Sequence, residues 1–364
     1  MKLLYCGQLW EGSTALQRAR AFSRQAGTEV LYLDVTSGVR DPSPSLMERV
    51  RWKAGWPADV LSENERLIEM VRRERPDVVF VDNSKVISLS TLRLLVSQGV
   101  LPVYYSPDDM VAPHNLKYPF RRTLSNWAII FTTKPVNVTE LEALGAPEVV
   151  LVGNSFDADV HRSLIPAERD QSFEAVDAVF IGAFEKRRCR QINALSAAGI
   201  RVAVYAASSG MVTTAWRRML HHDVILKSGV YGRDYRVGLH HGKLALCFLR
   251  EMNRDVITTR SIEIPATGRP MVAEKTAAHD EHFVDGNEYV GFANCGELIE
   301  VVQQLLNDTN RRLQIAEVGR RRCLSSGYST DHRARELLWR IEHELRAFAA
   351  PAINAARSFA SGDD

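Results

Sequence analysis

Residues 255–272 hold the densest chemistry in the chain: Asp255, Thr259, Arg260, Ser261, Glu263 and Gly268, followed by Met271 and Val272. The spacing predicts a loop, a short helix opening near Thr259 to Ser261, a Gly268 cap and a buried strand at Met271-Val272. A helix N-terminus offers free amide donors and the positive end of a dipole, which suit a diphosphate. Arg260, entering that helix, adds a fixed cation that neutralises charge on a departing diphosphate. Glu263 stands about a turn further on, where a carboxylate can accept two hydrogen bonds from vicinal ribose hydroxyls.

Other candidates stand at strand ends. Gly182 follows a strand and opens a basic helix with Arg187 and Arg188, a place for backbone and guanidinium groups near phosphate, although a solvated charged face is the commoner source of such a run. Tyr231 and Tyr235 can wall a ligand, since tyrosine packs by its ring and hydrogen-bonds at its edge. Gly7, Trp10, Glu11 and Gly12 follow the first strand; the loop lacks G-x-G-x-x-G spacing, and Ser13 suits a helix N-cap. Asp108 and Asp109 come just past another strand, where a carboxylate can take a proton from an attacking hydroxyl or serve only as a turn-capping Asx residue. Asp108 is the first choice as base, Asp109 the second and His114 the reserve. The adjacent pairs His221-His222 and His240-His241 lack nearby ligands at metal spacing, so no metal site is expected.

The elements that must position these groups alternate between short β-rich runs and helical patterns. The runs are 2–6, 29–34, 77–81, 101–105, 128–132 and 149–152, then 178–181, 202–205, 224–225, 244–248, 270–272 and 289–292. Such alternation predicts α/β architecture with two doubly wound domains in tandem and ligand at the carboxyl ends of the strands. The expected division is 1–157 for the first domain, 158–172 for a polar linker containing Pro166, and 173–339 for the second. A terminal helix, 340–364, is expected to cross back to the first domain, broken near Pro351.

The segment around Arg260 and Glu263, continued through Phe283, Gly286, Glu288, Glu297 and Leu298, resembles the C-terminal half of the spore-maturation CgeB-type glycosyltransferases. It is also similar to the E-x7-E motif of the large retaining GT-B families, with Glu263 as the second glutamate and the shorter Asp255 eight residues before it. The likeness spans residues 177–338. It implies a GT-B fold, two Rossmann-like domains facing across a cleft. A nucleotide-sugar donor would be held by Gly182, Arg187, Tyr231, Asp255, Thr259, Arg260, Ser261 and Glu263, and the acceptor by Gly7, Trp10, Glu11, Gly12 and His114. Asp108 also resembles the acidic strand-end residue of phage DNA glucosyltransferases. Metal-independent, base-assisted transfer follows as the expectation, with no cofactor beyond the co-substrate. A nucleotide-sugar 2-epimerase or a non-catalytic nucleotide-sugar-binding scaffold would share this architecture.

Composition narrows the class. The chain has 364 residues, 46 basic against 44 acidic, with 45% hydrophobic and 25% charged residues. That fits two soluble globular domains and argues against nucleic-acid binding driven by overall charge. The N-terminus lacks a signal-peptide pattern, and no stretch approaches the roughly 20 apolar residues of a membrane span. Five scattered cysteines read as reduced thiols, and the expected location is cytoplasmic. The acceptor is left open among a glycan, a small molecule, a lipid carrier and a modified nucleobase. Trp10, Tyr118, Phe120 and Trp127, with Arg121 and Arg122, could face any of these or a membrane, or be half-buried structure.

Overall fold

The computed structural model describes residues 1–36, 45–165, 168, 176–206 and 210–360. Contacts group the chain into two compact units, Met1–Gly153 with Asp331–Asp364, and Asn154–Thr330. Among the described residues each unit is built on a six-stranded parallel sheet.

In the first unit the strands are β1 (Lys2–Gly7), β2 (Glu29–Asp34), β3 (Val78–Asp82), β4 (Leu101–Ser106), β5 (Ile129–Thr132) and β6 (Val149–Leu151). Their order is β2-β1-β3-β4-β5-β6, so the winding reverses between β1 and β3. Alternate residues feed opposite faces. Leu4 and Cys6 join one core with Val79 and Val81, while Leu3 and Tyr5 join the other with Phe80 and Phe131. Both faces are covered, which is why the central strands are continuous apolar runs.

The second unit has β7 (Val176–Ile181), β8 (Val202–Ala206), β9 (Ile225–Ser228), β10 (Gly242–Cys247), β11 (Met271–Glu274) and β12 (Val290–Phe292). The order β12-β11-β10-β7-β8-β9 is the 3-2-1-4-5-6 arrangement of a dinucleotide-binding fold read from its other edge. Its switch point lies between β7 and β10. All twelve apolar runs expected from the sequence fall on these strands.

Two boundaries differ from expectation. The stretch after Gly153 belongs to the second unit: Phe156 N–H donates to the Tyr328 carbonyl at 3.0 Å, its own carbonyl accepts from Thr330 N–H at 2.8 Å, and His161 is buried. Within the expected linker, residues 166, 167 and 169–172 lie outside the described residues. The terminal helix begins at Thr330 and runs without interruption through Pro351 to Ala360. Ala334, Leu337, Leu338 and Ile341 repeat at helical spacing and enter the core with Leu3, Tyr5 and Phe80, which ties this helix to the first unit.

Candidate active site

Arg260 sits where β7 ends. It begins the helix Thr259–Ala266, whose residues Ser261 through Ala266 are all buried and whose exit is turned by Gly268 at φ +74°. The left-handed Gly268 brings its N–H to the Pro265 carbonyl at 2.8 Å, the glycine cap expected from the sequence. The helix start is locked by Ser261. Its hydroxyl accepts from Thr258 N–H at 3.2 Å and meets His279 Nε2 at 2.8 Å, and His279 Nδ1 meets Thr276 Oγ1 at 3.0 Å. Ser261 is therefore a buried structural group, not a ligand contact of its own.

Three groups hold the Arg260 guanidinium. Nε donates to the Ile181 carbonyl at 3.4 Å, Nη1 donates to Glu263 Oε2, and Cζ lies 4.6 Å above the Tyr235 ring. Nη2 has no hydrogen-bond partner among the described residues, and a third of the side chain is exposed. Glu263 itself is 1% exposed. Its second oxygen, Oε1, lies 3.4 Å from His161 Nε2. His161 Nδ1 accepts the Asp157 N–H at 2.9 Å, so a neutral His161 carries its proton on Nε2, facing Glu263. Burial pushes the Glu263 carboxyl upward, yet Arg260, His161 and Tyr235 outweigh it and hold the group below the usual carboxylate range. For Arg260 burial opposes the charge and Glu263 more than restores it. A fixed cation results, with one N–H edge unspent.

The helix Gly232–His241 supports this cluster from beneath. It supplies Tyr235, and Arg236 Nη1 donates to the Asp159 and Val160 carbonyls at 3.1 and 2.7 Å, pinning the turn that carries His161. Tyr231 is the exposed residue before this helix. Sequence reasoning missed His161, which it assigned to a linker. The signal was the Asp157–His161 spacing, which closes a turn through His161 N–H to the Asp157 carbonyl at 2.7 Å.

The remaining donor-side candidates have structural partners. Asp255 accepts from Arg250 N–H at 3.2 Å and Asn253 Nδ2 at 2.8 Å, shaping the loop before the helix. Thr259 Oγ1 donates to Asn154 Oδ1 at 3.3 Å. Arg187 pairs with Glu251 at 3.2 Å and Glu274 at 2.6 Å. Arg188 is buried and donates to the Phe248 and Ala183 carbonyls at 2.6 and 3.0 Å. Gly182 leaves no room for a side chain, because a Cβ would lie 2.7 Å from the Phe180 ring.

In the first unit, the two neighbouring aspartates part company. Asp109 is fully buried and accepts on Oδ1 from Val111 N–H, Ala112 N–H and Asn137 Nδ2 at 3.1, 3.1 and 2.7 Å. It is an Asx-turn carboxylate. Asp108 is half-buried; Oδ2 accepts from Asn83 Nδ2 at 3.0 Å, and Oδ1 has no hydrogen bond among the described residues. His114 is half-buried in the following turn. Gly7 ends β1 in tight packing, its would-be Cβ 3.1 Å from Asp82 Cβ. Gly12 turns the loop at φ +96°, Trp10 is exposed, and Glu11 pairs with Arg20 at 2.9 Å on the surface. Phe120 and Trp127 are core residues against Tyr104, at 4.7 and 5.0 Å between ring centres, so neither faces a ligand or a membrane. No group of three or more His, Cys, Asp or Glu among the described residues is disposed to hold a metal ion.

Residues 187–339 match the family model described as glycosyl transferase-like. That agrees with the likeness to CgeB-type enzymes over the C-terminal half. No curated protein sequence matches the chain. Among solved structures, sucrose-phosphate synthase from Thermosynechococcus elongatus is similar with a TM-score of 0.67 at 11% identity, over 95% of this chain and 99% of that one. Anabaena Alr3699/HepE in complex with UDP-glucose aligns at 0.64 and 12%, over 94% and 100%. The UDP-GlcNAc 2-epimerase of Neisseria meningitidis bound to UDP-GlcNAc aligns at 0.56 and 13%, over 94% and 100%. The fold is GT-B, and the glycosyl transferase-like match falls mostly within the second unit.

The buried histidines make the fold sensitive to acid. Desolvation depresses His161, and brings His240 and His279 down to about 4, against 6.5 for a free imidazole. Above pH 6.5 these groups are neutral folded or unfolded, and their contribution is fully present. As pH falls from 6.5 towards 4, the unfolded chain takes up protons that the folded one refuses. Stability then falls by up to about 1.4 kcal/mol per pH unit for each histidine. Urea midpoints should hold above pH 7 and drop as pH falls from 6.5 to 5; a flat or rising midpoint over that lower window would show that these imidazoles are not held neutral.

Proposed function

Starting from a glycosyl transferase-like domain over residues 187–339, we propose that this protein transfers a sugar from a nucleotide-sugar donor to an acceptor hydroxyl without a metal ion. The observation that carries the reading is the Arg260 guanidinium, immobilised by Glu263, Tyr235 and the Ile181 carbonyl, with Nη2 unspent. It stands at the carboxyl end of β7, beside the switch point where open α/β sheets take their ligands. Amides of the first helical turn add donors at the same place.

The acceptor oxygen forms a bond to the anomeric carbon as the bond from that carbon to the diphosphate oxygen breaks. The electron pair leaves with the nucleoside diphosphate, where Arg260 and the helix amides stabilise the growing charge. Asp108 is the candidate for taking the hydroxyl proton, because its Oδ1 is open and the carboxylate is accessible. Glu263, with one oxygen on Arg260 and the other facing His161, is a positioning residue rather than a ribose ligand. Asp255 and Arg187 are better read as loop-shaping groups, since both are committed to neighbouring side chains or backbone. UDP and UDP-glucose are the first ligands to try, because a solved structure of similar fold holds UDP-glucose.

Arg260→Ala should lower turnover by about 10²–10³-fold while nucleotide affinity falls less, and wild-type turnover should persist in EDTA. Equal losses in both would make Arg260 a binding group only, and loss in chelator restored by magnesium would refute metal independence. Product analysis in the same assay separates transferred sugar from an epimerised donor, which would favour the epimerase reading.

Asp108→Asn should cut turnover by about 10²–10⁴-fold with donor affinity preserved. Asp109→Asn should instead act through folding, costing about 1–3 kcal/mol of stability, because a buried acceptor of three hydrogen bonds is altered. Wild-type rates from a folded Asp108→Asn variant would remove this residue from the mechanism.

A further inference from the structure

The helix Leu46–Lys53 in the first unit buries none of its residues. Its start is well made: Ser45 and Glu48 form a reciprocal capping box. Its far end is tied down. Lys117 Nζ donates to the Trp52 carbonyl at 2.8 Å and lies 5.0 Å from the Trp52 ring, and Tyr118 N–H donates to the Gly55 carbonyl at 2.7 Å. The helix is thus fixed in place, yet Leu46, Met47 and Val50 are 74%, 72% and 58% exposed.

At about 100° per residue these three apolar side chains share one arc of the helix, and Arg49, Arg51 and Lys53 border it. Beyond the helix, Trp56 and Val60 are exposed as well, and Trp56 stacks on Tyr118 with ring centres 3.7 Å apart. Arg122 lies over the Tyr118 ring, its Cζ 5.6 Å from the ring centre. Exposed tryptophan, tyrosine and aliphatic groups inside a basic border match the composition of an interfacial helix and its aromatic flank. Contiguous exposed apolar groups of this kind mark interaction surfaces.

We infer that this face docks on an anionic lipid bilayer surface, with the apolar arc entering the headgroup boundary and the arginines and lysine pairing with lipid phosphates. Charge selects this occupant. Arg49, Arg51, Lys53, Arg121 and Arg122 outnumber the single Glu48 among these residues, so a two-fold pairing of the same face would set like charges against each other. No helix among the described residues is long and apolar enough to cross a membrane, so the association is peripheral. The inference does not depend on the transfer reaction.

The test is co-sedimentation of the full chain with vesicles of phosphatidylglycerol and phosphatidylcholine, against vesicles of phosphatidylcholine alone. Binding should need the anionic lipid and weaken as salt is raised. Met47→Glu with Val50→Glu should reduce partitioning at least about tenfold with an unchanged melting temperature, since both side chains face outward. Arg49→Glu with Lys53→Glu, which leaves the apolar arc intact, should reduce it by a similar factor. No binding to anionic vesicles, equal binding to neutral ones, or full binding by the variants would each overturn the proposal. So would a solution dimer of the wild type that the Met47 and Val50 substitutions dissolve, since the face would then be occupied by a second copy.

Discussion

A carboxylate with 1% of its surface exposed cannot remain charged unless something close by replaces the water it has lost. At Glu263 that role falls to Arg260 on one oxygen and the Nε2 side of His161 on the other. Much of the second unit is arranged to make the pairing possible. Ser261 and His279 lock the first helical turn, Tyr235 supplies the ring under the guanidinium, and Arg236 holds the turn bearing His161. Without this support a long arginine side chain would sample many rotamers. With it, the cation is placed before any ligand arrives, which is what electrostatic stabilisation of a leaving group requires.

The first unit contains a related pair used to a different end. Arg18 and Asp82 meet at 2.8 Å where β1 and β3 end, again at the point where the winding reverses. Here every guanidinium nitrogen is engaged: Nε with Tyr5 and Asp82, Nη1 with Tyr105, Nη2 with Asp82. The Arg18 side chain is 10% exposed, against 33% for Arg260. The comparison separates a cation consumed by the fold from one partly left over for a ligand.

The strands were legible because parallel strands covered on both faces are short continuous apolar runs, and helices between them break the pattern cleanly. The Arg260 helix was legible because its glycine cap and the three-residue step to Glu263 are local features. The roles of neighbours were harder. Asp108 and Asp109 are adjacent and chemically identical, and only the fold shows that Asn137 and two backbone amides claim the second. For His161 the local Asp157–His161 spacing pointed to a turn but not to a role, because its partner Glu263 lies a hundred residues away, beyond a stretch whose polarity reads as a linker. For Phe120 and Trp127 beside Arg121 and Arg122 the sequence left a ligand-facing and a buried role open, because a short amphipathic helix such as Tyr118–Thr123 supplies core and solvent face from adjacent positions.

In the proposed function Glu263 serves nucleotide binding only by holding Arg260 in place. A double-mutant cycle in UDP affinity tests it directly, with calorimetry on the wild type, Arg260→Ala, Glu263→Gln and the combined variant. Glu263→Gln should weaken UDP binding in the presence of Arg260 and have almost no further effect in its absence, a coupling of about 1 kcal/mol or more. Additive losses would mean that Glu263 contacts the nucleotide independently, and the clamp would no longer explain the site.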